Sequence, residues 1–160
     1  KLKSNFHRVH SPIPVQRQAI DHLVDIYQQE RDWDKAHEYT QRLEKPGNTA
    51  LRDRRAHFLC EQADALLAEG DVEEASARLR QALAVDDKCV RASLTQARLA
   101  MTAGAYEAAI RHLQRIETQN VAFISEAIVP LVECYRTLDR TPELVAYLER
   151  LGTQRTGVTP

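Results

Sequence analysis

A helix–turn–helix pattern recurs four times along this chain of 160 residues, and it restricts the possible folds more than any other feature. The second helix of each copy has a small or apolar residue at an equivalent position, and successive positions are 39, 34 and 35 residues apart. The four residues are Ala36, Ala75, Ala109 and Leu144. A period near 34 residues is typical of stacked helix pairs. A small side chain here would let the second helix cross its own first helix closely.

Turn and capping residues mark the boundaries within the copies. Gly70 and Gly104 precede two of the second helices, and glycine can end a helix by adopting a positive φ at little cost. Asp71 and Glu74 have the spacing of a capping box. These signals indicate that each copy is a pair of antiparallel helices.

The first helices carry apolar residues at three- and four-residue steps, as amphipathic helices require. These stripes are Ile20, Leu23, Val24 and Tyr27; Leu59, Ala63 and Leu66; Leu94, Ala97 and Met101; and Val129, Val132 and Tyr135. They predict helix pairs at about 14–44, 50–84, 88–117 and 122–151. The turn residues of segment 45–48 account for the longer first spacing as a loop insertion of about five residues.

Two prolines bear on the last pair. Thr141 before Pro142 predicts an N-cap followed by proline at the first helical position. Pro130 falls inside the predicted first helix, so it should either kink that helix or mark its true start.

Together these observations predict an all-α fold, a right-handed superhelical solenoid of about four tetratricopeptide-type helix pairs. The repeat domain is predicted over residues 13–151. Residues 1–12 lack periodicity and would be a linker or the end of a preceding repeat, and residues 152–160 would be a C-terminal tail.

Composition excludes several classes of function. Lys and Arg number 22 and Asp and Glu 23, for a formal charge of -1, whereas domains that bind nucleic acid or a membrane surface normally carry a basic excess. The three cysteines, Cys60, Cys89 and Cys134, include no closely spaced pair. They predict no disulfide framework and favour a reducing cytoplasm. No stretch approaches the roughly 18 apolar residues of a membrane-spanning helix, so we expect no membrane insertion by this segment.

Several strings resemble the lipopolysaccharide assembly protein B family. The chain carries AIDHLVDIYQQ at 19–29, DWDKA at 32–36, RAHFLCE at 55–61 and VECYR at 132–136. The resemblance extends over about 19–151. It implies tetratricopeptide repeats that face the cytoplasm, between an N-terminal inner-membrane anchor and a small rubredoxin-like metal domain.

The resemblance also implies a function. Members of that family act as adaptors that help a membrane-bound AAA+ metalloprotease degrade the lipid A deacetylase, which limits lipopolysaccharide synthesis. This chain has no Cys-x-x-Cys pair and no anchor, so we expect it to be the repeat region of a longer protein. Two alternatives stay open: an interaction domain of an unrelated regulator or secretion-assembly protein, and an accessory domain of a larger enzyme such as a glycosyltransferase.

The first helices are expected to line the concave side of the solenoid, the surface that such proteins use for binding. The predicted protein-binding groove comprises Asp21, Asp25, His57, Glu61, Asp64, Arg91, Arg98, Met101, Glu133 and Arg136. Its early part is acidic and its later part holds three arginines, a division that would orient a protein partner. The alternative is a mixed, solubilising surface. The ends of the array would also allow a homodimer.

Catalytic and metal sites have little support in the sequence. His57 and Cys60 have a spacing that can place two ligands on one metal, but no second pair accompanies them. A groove-lining histidine beside a small buried thiol is the alternative. No nucleophile elbow, phosphate loop or zinc-protease motif is present. We therefore expect no catalytic residue, metal or cofactor, and protein partners rather than nucleic acid.

Overall fold

The computed structural model describes residues 14–43 and 49–155, and within these ranges the chain forms helices and no strand. The helices are α1 Pro14–Gln29, α2 Trp33–Leu43, α3 Thr49–Glu69, α4 Val72–Val85, α5 Val90–Thr102, α6 Tyr106–Gln119, α7 Ile124–Thr137 and α8 Thr141–Arg155, with a single 3-10 turn at Val121–Phe123 before α7. They form four antiparallel pairs, each packed on the next. The predicted all-α solenoid of tetratricopeptide-type pairs is confirmed. Among these helices, none has the length and apolar character needed to span a bilayer.

Most helix boundaries lie close to their predicted positions, and the differences are confined to ends and loops. The predicted segment 1–12 and the predicted loop insertion at 45–48 lie outside the described residues. The last helix continues to Arg155, four residues beyond the predicted end of the fourth pair, so residues 152–155 are helical.

Each first helix ends in the same turn, which contains one residue with a left-handed backbone. These residues are Arg31, Gly70, Gly104 and Asp139, with φ of 58°, 86°, 73° and 56°. The backbone N–H of the following residue donates to the carbonyl five positions earlier, in the bonds Asp32 to Tyr27, Asp71 to Leu66, Ala105 to Ala100 and Arg140 to Tyr135. This is the Schellman arrangement that caps the last carbonyls of a helix. The glycine prediction is confirmed at two turns, and the other two reach the same geometry without glycine.

Two of the second helices, α2 and α4, begin with an aspartate cap. Asp71 accepts a hydrogen bond from the backbone N–H of Glu74 at 3.1 Å, as predicted, and Asp32 caps α2 in the same way through Lys35 at 3.2 Å. Helix α8 begins one residue earlier than predicted, at Thr141. The carbonyl of Arg140 accepts its first backbone bond, so Pro142 occupies the second helical position.

The aligned small residues are buried where the helices of each pair cross. Ala36, Ala75 and Ala109 are 0% exposed, and Leu144 at the last crossing is 5% exposed. Each lies five residues after the left-handed residue of its turn. The sequence separation between the turn and the crossing is therefore the same in all four pairs.

Among the described residues, the buried apolar side chains form three clusters that follow one another along the array. Phe58 of α3 belongs to the cluster of the first pair, whereas its neighbour Leu59 belongs to the cluster built on α4. Helix α5 is shared in the same way, since Ala92 packs with the second pair and Ala97 with the third and fourth. The pairs are stacked because each inner first helix buries side chains on both sides.

The predicted apolar stripe of α7 is right at Tyr135 and Val132 and wrong at Val129. Tyr135 is buried with Ile124, Ala127, Leu131 and Cys134, and the partly buried Val132 packs against them, whereas Val129 is 74% exposed. The helix begins at Ile124, so Pro130 lies in its interior and does not mark its start. Val129 shares the three-residue spacing of the stripe, but it lies on the exposed side of the helix.

The buried crossings predict a cost for larger side chains. Replacing Ala75 or Ala109 with Leu should overpack the crossing and lower the free energy of unfolding by roughly 1–3 kcal/mol. Ala84→Leu, on an exposed position of α4, is the control and should change stability by less than about 0.5 kcal/mol. Urea denaturation measures all three. Equal stabilities for the Ala75 and Ala84 variants would contradict the helix register.

The left-handed turns predict that a substitution at one position increases stability. Arg31→Gly should stabilise the chain by about 1 kcal/mol, because glycine adopts a left-handed backbone without the steric cost borne by other residues. Gly70→Ala is the reverse test. A Cβ at Gly70 meets no atom within 4 Å, so its cost of about 1 kcal/mol would come from the backbone alone. A stabilised Gly70→Ala variant in thermal melts would rule out this account of the turns.

Candidate protein-binding surface

One face of the array consists of side chains of the first helices. Each first helix contributes three of them, at steps of four and then three residues. We call this surface the first-helix face. Its rows are Asp21, Asp25 and Gln28 on α1; His57, Glu61 and Asp64 on α3; Leu94, Arg98 and Met101 on α5; and Val129, Glu133 and Arg136 on α7. The steps of four and three residues keep each row on one side of its helix.

Arg54 of α3 ties the first row to the second helix pair. Its guanidinium donates to Asp25 at 2.5 Å and to Gln28 at 3.0 Å, and it lies 3.8 Å from Asp21. The prediction of the groove omitted Arg54. Arg54 precedes Arg91 by 37 residues, whereas the second and third copies are 34 residues apart, so the repeat spacing does not identify it.

Arg91 of α5 joins the row on α3 in the same manner. It donates to Glu61 and to Asp64, both at 2.6 Å, and one guanidinium nitrogen lies 3.4 Å from His57 Nδ1. Burial alone would lower the pKa of Arg91, but the hydrogen bonds to the two carboxylates outweigh it and raise the pKa above its usual value. Arg91 is therefore a charged brace between α3 and α5.

These braces change the charge distribution predicted for the groove. The four carboxylates of the rows on α1 and α3 share the two guanidinium groups of Arg54 and Arg91, so the early part of the face keeps only about half of its predicted negative charge. Arg98 and Arg136 are exposed, and neither has an ion-pair partner within residues 14–43 and 49–155. The unpaired positive charge of the face therefore lies on α5 and α7, where the exposed Glu133 and Val129 share the row of Arg136.

The residues singled out for metal binding have structural partners instead. Cys60 is 1% exposed and its sulfur faces Cys89, while the ring of His57 packs edge-on against Trp33 at 6.2 Å between centroids. In the part of the chain that the structure describes, no three His, Cys, Asp or Glu side chains are grouped so as to hold a metal ion. The arrangement favours the reading of His57 as a surface histidine beside a buried thiol.

Known proteins match this chain in two ways. The tetratricopeptide repeat family matches residues 60–122. Lipopolysaccharide assembly protein B of Escherichia coli (strain K12) is 34% identical over 139 residues, which are 87% of this chain and 36% of that protein. The protein of the same name from Haemophilus influenzae is 35% identical over 134 residues, 84% of this chain and 34% of its own length. The chain thus spans about a third of the relatives that it matches.

The Arg91 brace predicts a salt-dependent contribution to stability. Arg91→Gln removes both carboxylate contacts and should cost roughly 0.5–1 kcal/mol at low salt, because the pairs are partly exposed. The cost should shrink in 1 M NaCl, which screens the charges. Arg98→Gln, on the same helix but without an ionic partner among the described residues, should have little effect. Equal costs for the two variants in urea denaturation would show that Arg91 is no brace.

Proposed function

The chain is a tetratricopeptide-repeat relative of the lipopolysaccharide assembly protein B family, as its sequence indicated, and we propose that it is a non-catalytic scaffold that holds a partner protein on its first-helix face. We place this scaffold in lipopolysaccharide assembly, because the names of its relatives refer to that process.

The observation that carries this proposal is the bracing of successive first helices. Arg54 links α1 to α3, and Arg91 links α3 to α5, through hydrogen bonds of 2.5–3.0 Å and 2.6 Å to side chains of the preceding row. A surface whose helices are fixed before binding loses less conformational freedom when the partner arrives. Solenoids characteristically use such an extended face for binding.

The open part of the face suggests the chemistry of the partner segment. Arg98 and Arg136 offer two exposed guanidinium groups, and the partly exposed Met101 and the exposed Val129 offer apolar contacts on the same two rows. An acidic segment with an apolar side chain would match both features. Charge complementarity of this kind increases the association rate and sets orientation.

A more specific proposal follows from the similarity to lipopolysaccharide assembly protein B. As in the family, the repeats would face the cytoplasm in a protein anchored to the inner membrane. They would bring the lipid A deacetylase to a membrane AAA+ metalloprotease and so restrain lipopolysaccharide synthesis. The first-helix face of α5 and α7 would contact one of these two proteins.

Charge reversal on the two kinds of helix tests where the partner binds. The variant Arg98→Glu/Arg136→Glu should bind its partner roughly tenfold more weakly at low salt, because two attractive charges become repulsive. Arg111→Glu/Arg115→Glu, on exposed positions of the second helix α6, makes the same change in net charge and should bind like the parent. Binding of purified lipid A deacetylase and of the protease is measured by surface plasmon resonance at two salt concentrations.

Three results would count against the proposal. Weakening only by the α6 variant would place the binding surface on the second helices. Equal weakening by both variants would indicate a nonspecific charge effect. Failure of the parent chain to bind either protein would remove the adaptor proposal and favour an unrelated partner. Circular dichroism checks that both variants keep the helical fold.

A further inference from the structure

Two cysteines from different helix pairs meet at the joint between α3 and α5. Cys60 Sγ lies 3.7 Å from Cys89 Sγ, although 29 residues separate them in the sequence. Cys60 is a buried residue of α3, and Cys89 is the partly exposed N-cap of α5. A disulfide bond needs the sulfur atoms about 2.05 Å apart, so small side-chain movements would close this gap.

We propose that Cys89 and Cys60 form a dithiol site that hydroperoxides oxidise to a disulfide, with Cys89 as the attacking thiol and Cys60 as the resolving thiol. The proposal does not depend on the protein partner or on the first-helix face.

The two thiols differ in how far a small molecule from solvent can reach them. Cys89 lines an open surface cavity of about 230 Å³ together with Asp53, His57, Lys88 and Arg91. A hydroperoxide is small enough to enter this space. Cys60 also lines the cavity but is 1% exposed. Cys89 therefore attacks the peroxide first, and Cys60 reacts with it afterwards.

The surroundings favour the thiolate form of Cys89. Either sulfur can donate the hydrogen bond between Cys60 and Cys89. When the Cys60 thiol donates, it lowers the pKa of Cys89 to about 7, against the opposing effects of burial and of the carboxylates of Asp86 and Asp53. The same bond and burial raise the pKa of Cys60 above its usual value, with Asp64 adding to the rise and Arg91 opposing it. The thiolate is the nucleophile in cysteine chemistry, so the difference in exposure assigns the roles, and the directions of these pKa shifts agree with it.

The reaction balances in two steps. The Cys89 thiolate attacks the peroxide, a sulfur–oxygen bond forms, the oxygen–oxygen bond breaks, and the departing alkoxide or hydroxide takes up the proton that Cys89 had released. Cys60 Sγ then attacks Cys89 Sγ, the sulfur–oxygen bond breaks, and hydroxide leaves with the Cys60 proton as water. Two thiols lose two electrons, and one hydroperoxide is reduced to an alcohol and water. The disulfide then links α3 to the start of α5.

The third cysteine provides an internal control. Cys134 of α7 is 0% exposed, and burial raises its pKa. In the native chain, iodoacetamide should therefore alkylate Cys89 at least about tenfold faster than Cys134 at pH 7. Equal rates, or faster alkylation of Cys134, would overturn the assignment of Cys89 as the attacking thiol.

The oxidation is tested on the reduced, purified chain with hydrogen peroxide at pH 7, followed by peptide mass spectrometry. The expected product is an intramolecular Cys60–Cys89 disulfide that dithiothreitol reverses, with Cys134 still reduced. In Cys60→Ser, dimedone should trap a sulfenic acid on Cys89, whereas Cys89→Ser should give neither product. A disulfide formed only between chains, one involving Cys134, or no disulfide at all would overturn the proposal. The parent chain decides this even if a variant fails to fold.

Discussion

The left-handed residue that ends each first helix is the constraint on which the array depends. At Arg31, Gly70, Gly104 and Asp139 the backbone reverses through the same hydrogen-bonded turn. The second helix then begins at a fixed place, so the small residue five positions later always meets the first helix. Because the same local geometry recurs in every pair, the four pairs can stack in a regular way. A different turn at any of these places would move the second helix off its crossing.

Stacking of the pairs has an apolar and an ionic part. The inner first helices α3 and α5 bury side chains toward both neighbours, which supplies the larger share of the stabilisation. Arg54 and Arg91 add charged bonds across successive first helices, on the partly exposed side. Those bonds contribute modestly to stability, but they hold the rows of the first-helix face in position. The proposed binding surface is thus organised by residues that pair with each other, while Arg98 and Arg136 have no ion-pair partner among the described residues.

The sequence predicts local features better than contacts between pairs. The crossing alanines, the two glycine turns and the Asp71 cap follow from backbone chemistry within a few residues, and the structure bears them out. Arg54 could not be assigned because its partners lie on another helix, at an offset set by packing. The meeting of Cys60 with Cys89 was missed for the same reason. Val129 was misassigned because apolar spacing alone cannot locate the start of α7. Which predicted groove residues contact a partner stays a prediction.

The most direct test of the scaffold account is site-specific photocrosslinking from two exposed valines. Val129 lies on the first-helix face of α7 and is 74% exposed, while Val145 lies on the second helix α8 and is 48% exposed. A photoreactive amino acid at each position is irradiated in the presence of the lipid A deacetylase or the protease. The account predicts a crosslink to a partner from position 129 and none from position 145. Crosslinks from position 145 alone would contradict it, because they would place the partner on the second helices.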